Sequence, residues 1–151
     1  MEQEKTKAEI YQKKGYLKVE DKDAFQTIDE TCMFLGTQAI SRGYLKVGVA
    51  PISLNEKLEI WFPNESNDKR WENKLNDEEG TFTEYNSDDT KREEHVAACL
   101  KDNKVRVTFF KSKTKYNDNQ YHFIGVFVLD IAATEEQGKC IWRRISKEYI
   151  L

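Results

Sequence analysis

The fold is decided by two neighbouring stretches, Val105-Arg-Val-Thr-Phe-Phe-Lys111 and Tyr121-His-Phe-Ile-Gly-Val-Phe-Val-Leu-Asp130. The second stretch is apolar at odd and even positions alike, and it is rich in aromatic and β-branched residues. This pattern is typical of a central strand that is covered on both faces. The first stretch alternates more plainly, and a polar turn at residues 116–119 separates the two. We therefore predict an antiparallel hairpin at the centre of a sheet.

Further strands are predicted on both sides of this hairpin. Alternating or β-rich patterns occur at residues 16–19, 43–49, 57–62, 81–85 and 140–146. Residues 70–75 fit a helical turn and a strand equally well.

Helical patterns are fewer. The clearest spans residues 21–36, where an apolar stripe predicts a helix packed on the sheet; its members are Phe25, Ile28, Cys32 and Leu35. Residues 1–14 predict a frayed, peripheral helix that ends at Gly15, and residues 91–101 predict a shorter helix. The expected fold class is α+β. Its sheet is mostly antiparallel, twisted and partly closed, with one packed amphipathic helix and one or two shorter helices.

Length and composition fit one globular domain over residues 1–151. The chain has 151 residues, and its charged fraction of 34% predicts a heavily charged surface around a core rich in aromatic residues. The net charge is only −3, so no global field indicates a nucleic-acid or membrane partner. Any such partner must be argued from local clusters.

Cysteine usage and hydropathy suggest a cytoplasmic protein. The cysteines Cys32, Cys99 and Cys140 are widely spaced and form no Cys-x-x-Cys motif, which argues against a disulfide framework or a zinc knuckle. No apolar run approaches the roughly 18 residues that span a membrane, and the N-terminus does not resemble a signal peptide. We predict a reducing compartment and no membrane partner.

No catalytic residue, metal site or cofactor is predicted. His95 and Cys99 are four residues apart on a predicted helix and could begin a metal site, but the sequence shows no second pair of ligands. Glu72-Asn-Lys74 has the Glu-x-Lys form of metal-dependent nucleases. Asp68 lies too close to Glu72 for the required hairpin. A small nuclease is therefore retained only as a second alternative.

Basic residues supply a candidate surface for nucleic acid. Lys111, Lys113 and Lys115 alternate beyond the first strand of the hairpin, so an extended chain would place them on one face, where they could contact phosphates. At most one residue of the Arg143–Arg144 pair can face the same groove, and Arg144 is the candidate. The alternative is a solvated strand end.

Aromatic residues interleaved with polar groups supply the second candidate feature. Trp61, Trp71, Tyr85, Tyr121 and Trp142 are of the type on which flipped or single-stranded bases stack. The alternative is that these rings belong to the core.

A series of short motifs resembles an accessory domain of bacterial restriction and helicase-type proteins, within the PUA-like group that includes the SRA readers of modified cytosine. The motifs cover about residues 40–147, and the run beginning at Tyr121 is the most specific; they are Ile60-Trp-Phe-Pro63, Trp71-Glu-Asn73, Thr83-Glu84, Arg106-Val-Thr-Phe-Phe-Lys111, Tyr121-His-Phe-Ile-Gly-Val-Phe-Val-Leu-Asp130 and Trp142-Arg-Arg-Ile-Ser146. His122 stands where the resemblance leads us to expect an arginine.

The resemblance implies a non-catalytic module that recognises a modified or extruded base in a restriction or phage-defence context. It implies an aromatic pocket with a carboxylate or amide, for which the candidates are Trp61, Asn64, Trp71, Glu84 and Tyr121. The first alternative is a protein-binding inhibitor whose acidic surface mimics DNA, formed by residues 77–79, 88–89 and 93–94.

Overall fold

The structure is a computed structural model that describes residues 10, 13–27, 49–52, 55–65, 70–102 and 104–150. Its strands are β1 (Tyr16–Lys18), β2 (Ala24–Phe25), β3 (Val49–Ile52), β4 (Asn55–Trp61), β5 (Trp71–Asn76), β6 (Thr81–Asn86), β7 (Val105–Phe110), β8 (Tyr121–Leu129), β9 (Cys140–Ser146) and β10 (Glu148–Ile150). Its helices are α1 (Asp89–Asp102), α2 (Lys113–Tyr116) and α3 (Ile131–Gln137), and a 3-10 helix spans Val19–Asp21.

The main sheet has eight strands and is centred on β8. Seven strands follow the order β3-β4-β7-β8-β9-β6-β5, and β2 adds to β8. The β4–β7 pair is parallel, and every other pair in this sheet is antiparallel. Strands β1 and β10 form a separate antiparallel pair. In the described part of the chain the two edges of the main sheet, β3 and β5, do not pair, so the sheet is open. The predicted α+β class, the mostly antiparallel sheet and the central hairpin are confirmed, whereas the expected partial closure of the sheet is not found in the described residues.

Strand β8 carries two cores because both of its faces are buried, as its apolar pattern predicts. One face packs with β1, β2 and β7; its buried residues are Leu17, Phe25, Ile60, Phe62, Val107, Phe109, Phe123 and Val126. The other face lies under α1; its buried residues are Trp61, Phe82, Cys99, Phe110, Ile124, Phe127, Leu129, Cys140 and Trp142. The second core positions the site described below.

Helix α1 confirms and extends the helix predicted at residues 91–101. The Asp88 carboxylate accepts a hydrogen bond from the Lys91 amide and caps the first turn. Val96, Cys99 and Leu100 pack against the second core, so the helix lies over β6 and β9.

The helix predicted from residue 21 is wrong over its described part. Residues 19–21 form a 3-10 helix, and Ala24 and Phe25 pair with β8 as strand β2. The physical reason is a competing set of backbone partners, because the Asp23 carbonyl accepts from the Phe123 amide and its carboxylate accepts from the Lys18 amide. The remainder of the predicted helix, including Cys32, lies outside the described residues, as does most of the strand predicted at 43–49.

Two shorter segments were ambiguous or misassigned. Residues 70–75, which fit a helical turn and a strand equally well, lie mostly in strand β5, which pairs with β6 along its whole length. Lys113 and Lys115 do not continue β7 as an extended chain. Ser112 caps the short helix α2 by accepting a hydrogen bond from the Lys115 amide.

Near the N-terminus, Lys13 and Lys14 are helical and Gly15 adopts φ +80°, which confirms the predicted end of the N-terminal helix.

Candidate functional site

Polar and aromatic side chains meet on the sheet face that α1 covers. Strand register explains why, because Asn73 of β5 lies directly opposite Glu84 of β6, and Glu84 lies directly opposite Cys140 of β9. Directly paired residues in neighbouring antiparallel strands project to the same face. Helix α1 adds His95 and Cys99 from above. We call Glu84, His95, Cys99 and Cys140 the Glu84 cluster.

Glu84 is the centre of this arrangement and is only 8% exposed. Its Oε1 lies 2.8 Å from His95 Nε2, 3.4 Å from Trp142 Nε1 and 3.9 Å from Arg106 Nη1. Burial alone would raise the pKa of Glu84, but the hydrogen bond with His95 and the charge of Arg106 outweigh it and hold the pKa below its usual value. The carboxylate is therefore kept charged inside the protein.

Arg106 is buried between two tryptophans. Its guanidinium carbon lies 4.9 Å from the Trp61 ring and 4.2 Å from the Trp142 ring, and its Nε donates to Glu59 at 3.3 Å. Its Nη1 is buried and has no hydrogen-bond partner among the described residues. This arginine therefore balances two buried carboxylates, Glu59 and Glu84, while its planar faces contact aromatic rings.

The two thiols and the imidazole of the Glu84 cluster are strongly coupled. Cys99 Sγ lies 3.6 Å from His95 Nε2 and within 4.8 Å of Cys140 Sγ. The neighbouring Cys140 thiol, followed by the hydrogen bond from His95, lowers the pKa of Cys99 to about 6 against the opposing effect of burial. Burial alone would lower the pKa of His95, but the interactions with Cys99 and Glu84 outweigh burial and raise this pKa to about 10. The same thiol contact and burial raise the pKa of Cys140.

Trp71 and Asn73 lie on β5 beside this cluster. The Trp71 ring meets the His95 ring edge-on at 4.8 Å between centroids. Asn73 Nδ2 donates to the Asn64 carbonyl at 3.0 Å, whereas Asn73 Oδ1 is buried and has no hydrogen-bond partner among the described residues. An unpaired buried acceptor is costly. In the described part of this face, it marks a place where a ligand could supply a missing donor.

Three of the predicted binding residues lie together, and one of them, Asn64, contacts Asn73. Asn64 forms an isolated parallel bridge with Lys111, and its side chain hydrogen-bonds Tyr121. The Lys111 ammonium lies 5.2 Å above the Tyr121 ring. Burial raises the pKa of Tyr121, and the hydrogen bond with Asn64 partly opposes this rise. Asn64, Lys111 and Tyr121 therefore form one contiguous surface.

The remaining predicted residues are more dispersed. Trp61 is 2% exposed and its ring packs against Phe82 and Trp142, so it belongs to the wall behind the cluster. Lys113 is exposed on α2. Lys115 and Arg144 both pair with Asp77, at 3.3 Å and 2.8 Å.

Several residues on which the two alternative functions depend form ion pairs or hydrogen bonds within the chain. Of the acidic residues in the first alternative, Asp77 pairs with Lys115 and Arg144, Asp88 caps α1, and Asp89 pairs with Arg92. The other four, Glu78, Glu79, Glu93 and Glu94, are exposed. Glu72, the nuclease candidate, accepts a hydrogen bond from the Tyr85 hydroxyl and pairs with Lys74 at 3.3 Å. Glu72 and Lys74 lie on the face of the hairpin opposite to Glu84, and Asp68 lies outside the described residues.

Sequence reasoning missed Asn73, the central place of Arg106 and the completion of the His95–Cys99 pair by Glu84 and Cys140. The available signal was the spacing between β5 and β6. Assigning residues 71–76 to a strand would have paired Asn73 with Glu84 through the turn at residues 77–80. The approach of α1 to β9 could not be read from spacing, because it depends on tertiary packing.

No helix in the described ranges is long and apolar enough to cross a membrane.

The chain thus folds as an open α+β sheet with polar and aromatic groups gathered under one helix. The family model of the SRA domain, the SET and RING associated domain, matches residues 10–151, so the chain belongs to the SRA family. The resemblance noted in the sequence is thereby confirmed.

A solved structure shares this fold. The chain is similar to the 5-hydroxymethylcytosine-specific restriction enzyme AbaSI, with a TM-score of 0.75 and 20% identity, over 96% of this chain and 45% of that one. It therefore spans less than half of the length of that enzyme. Weaker similarity, at a TM-score of 0.47 and 14% identity, links 85% of this chain to 72% of the DNA recognition domain of the cytosine modification-dependent restriction endonuclease LpnPI. A comparison with curated proteins found no significant match.

Proposed function

We propose that this chain is a non-catalytic DNA-binding module that reads a modified cytosine base flipped out of the duplex. Membership of the SRA family supports the proposal, as does the shared fold with an enzyme whose name specifies 5-hydroxymethylcytosine. The observation that carries it is the unpaired, buried Asn73 Oδ1, in the described part of the chain, beside the Trp71 ring. Cytosine presents an amino group that can donate to such an acceptor, and flipped bases stack on aromatic rings.

In this proposal the base lies against β5, with its polar edge towards Asn73 and its ring against Trp71. Glu84 supplies a second, negatively charged acceptor on the same sheet face, and Trp61 forms part of the wall behind it. Opening this space requires a shift of α1, since His95 now contacts both Trp71 and Glu84.

DNA phosphates are proposed to bind the surface formed by Asn64, Lys111 and Tyr121, with Lys113 next to it on α2. Phosphate contacts set the register of a protein on DNA without reading sequence. Lys115 and Arg144 join this surface only if they exchange Asp77 for a phosphate. The proposed setting is restriction or phage defence in the cytoplasm, where the neighbouring thiols of Cys99 and Cys140 stay reduced.

Asn73→Ala is expected to remove most of the preference for a modified cytosine while leaving general DNA binding in place. A good base contact contributes about 1–3 kcal/mol of discrimination, so the preference should fall roughly tenfold or more. Titration of fluorescent duplexes with and without a modified cytosine measures this. Asn119→Ala, at an exposed turn residue, is the matched control. An unchanged preference in the Asn73 variant would remove this residue from the pocket.

Charge reversal at Lys111 and Lys113 is expected to weaken binding to all duplexes to a similar extent. Each lost phosphate contact should reduce the slope of log K against log salt concentration by about 1. Binding isotherms at several salt concentrations measure this slope, and Lys101→Glu at the exposed end of α1 is the matched control. A slope equal to that of the wild type would place the phosphate contacts elsewhere.

A further inference from the structure

Four potential metal ligands converge on the sheet face under α1. The ligand atoms of Glu84, His95, Cys99 and Cys140 all lie within 4.8 Å of one another, and no other such group of three or more occurs among the described residues. We propose that the Glu84 cluster is a structural Zn²⁺ site with a Cys₂-His-Glu ligand set. A bound ion would occupy Glu84 and hold α1, so the proposed base pocket, which requires a shift of α1, would open only in the metal-free chain.

The backbone builds this arrangement from three elements. Glu84 and Cys140 are directly paired between β6 and β9, so their side chains share a face. His95 and Cys99 are four residues apart on α1 and therefore lie on one side of the helix. The helix packs on the same two strands, which brings its pair above theirs. A short-range motif such as Cys-x-x-Cys is not needed.

The distances suit a tetrahedral ion. Zinc bonds of about 2.0–2.3 Å imply separations of roughly 3.3–3.8 Å between neighbouring ligand atoms. His95 Nε2 lies 2.8 Å from Glu84 Oε1 and 3.6 Å from Cys99 Sγ. The widest separation allowed by the cluster, 4.8 Å, exceeds this range, so side-chain adjustments of up to about one ångström, small beside ordinary rotamer freedom, would bring the four atoms to the ion.

The ligand types and the charge also favour zinc. Two thiolates with an imidazole select Zn²⁺ over Mg²⁺ or Ca²⁺, which prefer oxygen ligands. Two thiolates and one carboxylate carry three negative charges, so a bound Zn²⁺ leaves a net charge of −1. The buried Arg106, 3.9 Å from Glu84, supplies the balancing positive charge. Burial of Cys99 and Cys140, at 4% and 0% exposure, keeps water from competing for the ion.

A site with four protein ligands is closed, as in structural zinc sites, and leaves no position for a substrate. Its effect would be to fasten α1 to β6 and β9. Because His95 contacts the Trp71 ring and Glu84 faces Asn73, the ion would keep the helix closed over the proposed base pocket. The competing account is a metal-free cluster in which His95 hydrogen-bonds Glu84 and Cys99.

The decisive experiment measures metal binding by the intact wild-type chain. The protein is purified under reducing conditions, stripped with a strong chelator, reloaded with Zn²⁺ and analysed by elemental mass spectrometry and chelator competition. We expect one zinc per chain. Loading with Co²⁺ should give the visible bands of a tetrahedral ion together with the near-ultraviolet charge-transfer bands of two thiolate ligands.

Matched variants assign the ligands. His95→Gln and the double variant Cys99→Ser/Cys140→Ser are expected to weaken zinc binding by about 100-fold or more, whereas His122→Gln, whose histidine pairs with Asp118 instead, should bind as the wild type does. If a ligand variant does not fold, the zinc stoichiometry and the cobalt spectrum of the wild-type chain still show whether the metal site exists. Less than about 0.1 zinc per chain with three reactive thiols after denaturation would establish the metal-free cluster, and a single remaining thiol, that of Cys32, would establish a Cys99–Cys140 disulfide. Either result overturns the proposal.

Discussion

Gly125→Ala is expected to lower the free energy of unfolding by about 3–5 kcal/mol, because the site combines a left-handed backbone with a lack of space. Gly125 has φ +123°, and a Cβ atom there would lie 2.6 Å from both Arg144 Cδ and the Ser146 carbonyl oxygen. The Arg144 side chain crosses β8 at this glycine to donate to the Ile124 carbonyl at 3.1 Å. Neither the backbone oxygen nor the anchored arginine can move aside easily. Thermal unfolding followed by circular dichroism should show a fall in Tm of about 10 °C.

Gly138→Ala separates the two causes of this loss. Gly138 also has positive φ, at +68°, but nothing lies within 4 Å of the position that a Cβ atom would take there. We expect the substitution to cost only about 1 kcal/mol, which is the backbone contribution alone. A Gly125 variant that melts within about 3 °C of the wild type would contradict the close approach of Arg144 to β8.

Arg106→Met is expected to destabilise the protein by about 3 kcal/mol. The substitution keeps an apolar side chain of similar length between Trp61 and Trp142, but it leaves Glu59 and Glu84 with less compensation inside the protein. Removing one partner of a buried ion pair typically costs about 3–5 kcal/mol. The lower end applies here, because Lys104 still lies 3.0 Å from Glu59 and His95 still contacts Glu84. Urea unfolding at neutral pH measures the difference.

Arg143→Met is the matched control. Arg143 lies on β9 and is exposed, so the substitution should change the free energy of unfolding by no more than about 0.5 kcal/mol. Adding Glu59→Gln to Arg106→Met should restore part of the stability by removing one buried charge. A loss below about 1 kcal/mol for Arg106→Met alone would show that the buried carboxylates do not depend on this arginine.

The central sheet could be predicted because its signal is local. The two-faced apolar pattern of β8, the alternation of β7 and the turn between them specify a covered hairpin without any knowledge of distant contacts. The prediction at residues 21–27 failed because a helical stripe competed with backbone partners that only the folded sheet provides. Phe25 is fully buried in the sheet and would also be buried in the predicted helix, so its burial alone could not decide between them.

The candidate site was predictable only in part, because its members come from distant positions in the chain. Glu84 was found through resemblance, Trp71 and Tyr121 through the aromatic pattern as well as resemblance, and Lys111 through the spacing of the lysines. Arg144 was assigned to phosphate contact from its charge, whereas its side chain lies across Gly125 and pairs with Asp77. The sequence alone does not show whether a charged residue on a strand binds a phosphate or pairs with a neighbouring carboxylate.

The most direct test of the proposed function is a fluorescence-anisotropy titration of the wild-type chain with single-stranded DNA, unmodified duplex and duplex containing 5-hydroxymethylcytosine, each at two salt concentrations. A modified-base reader should bind the modified duplex at least about tenfold more tightly than the unmodified one at both salt concentrations, while all affinities fall as salt rises. Equal affinity for the two duplexes, or no binding to any DNA at low salt, would contradict the proposal.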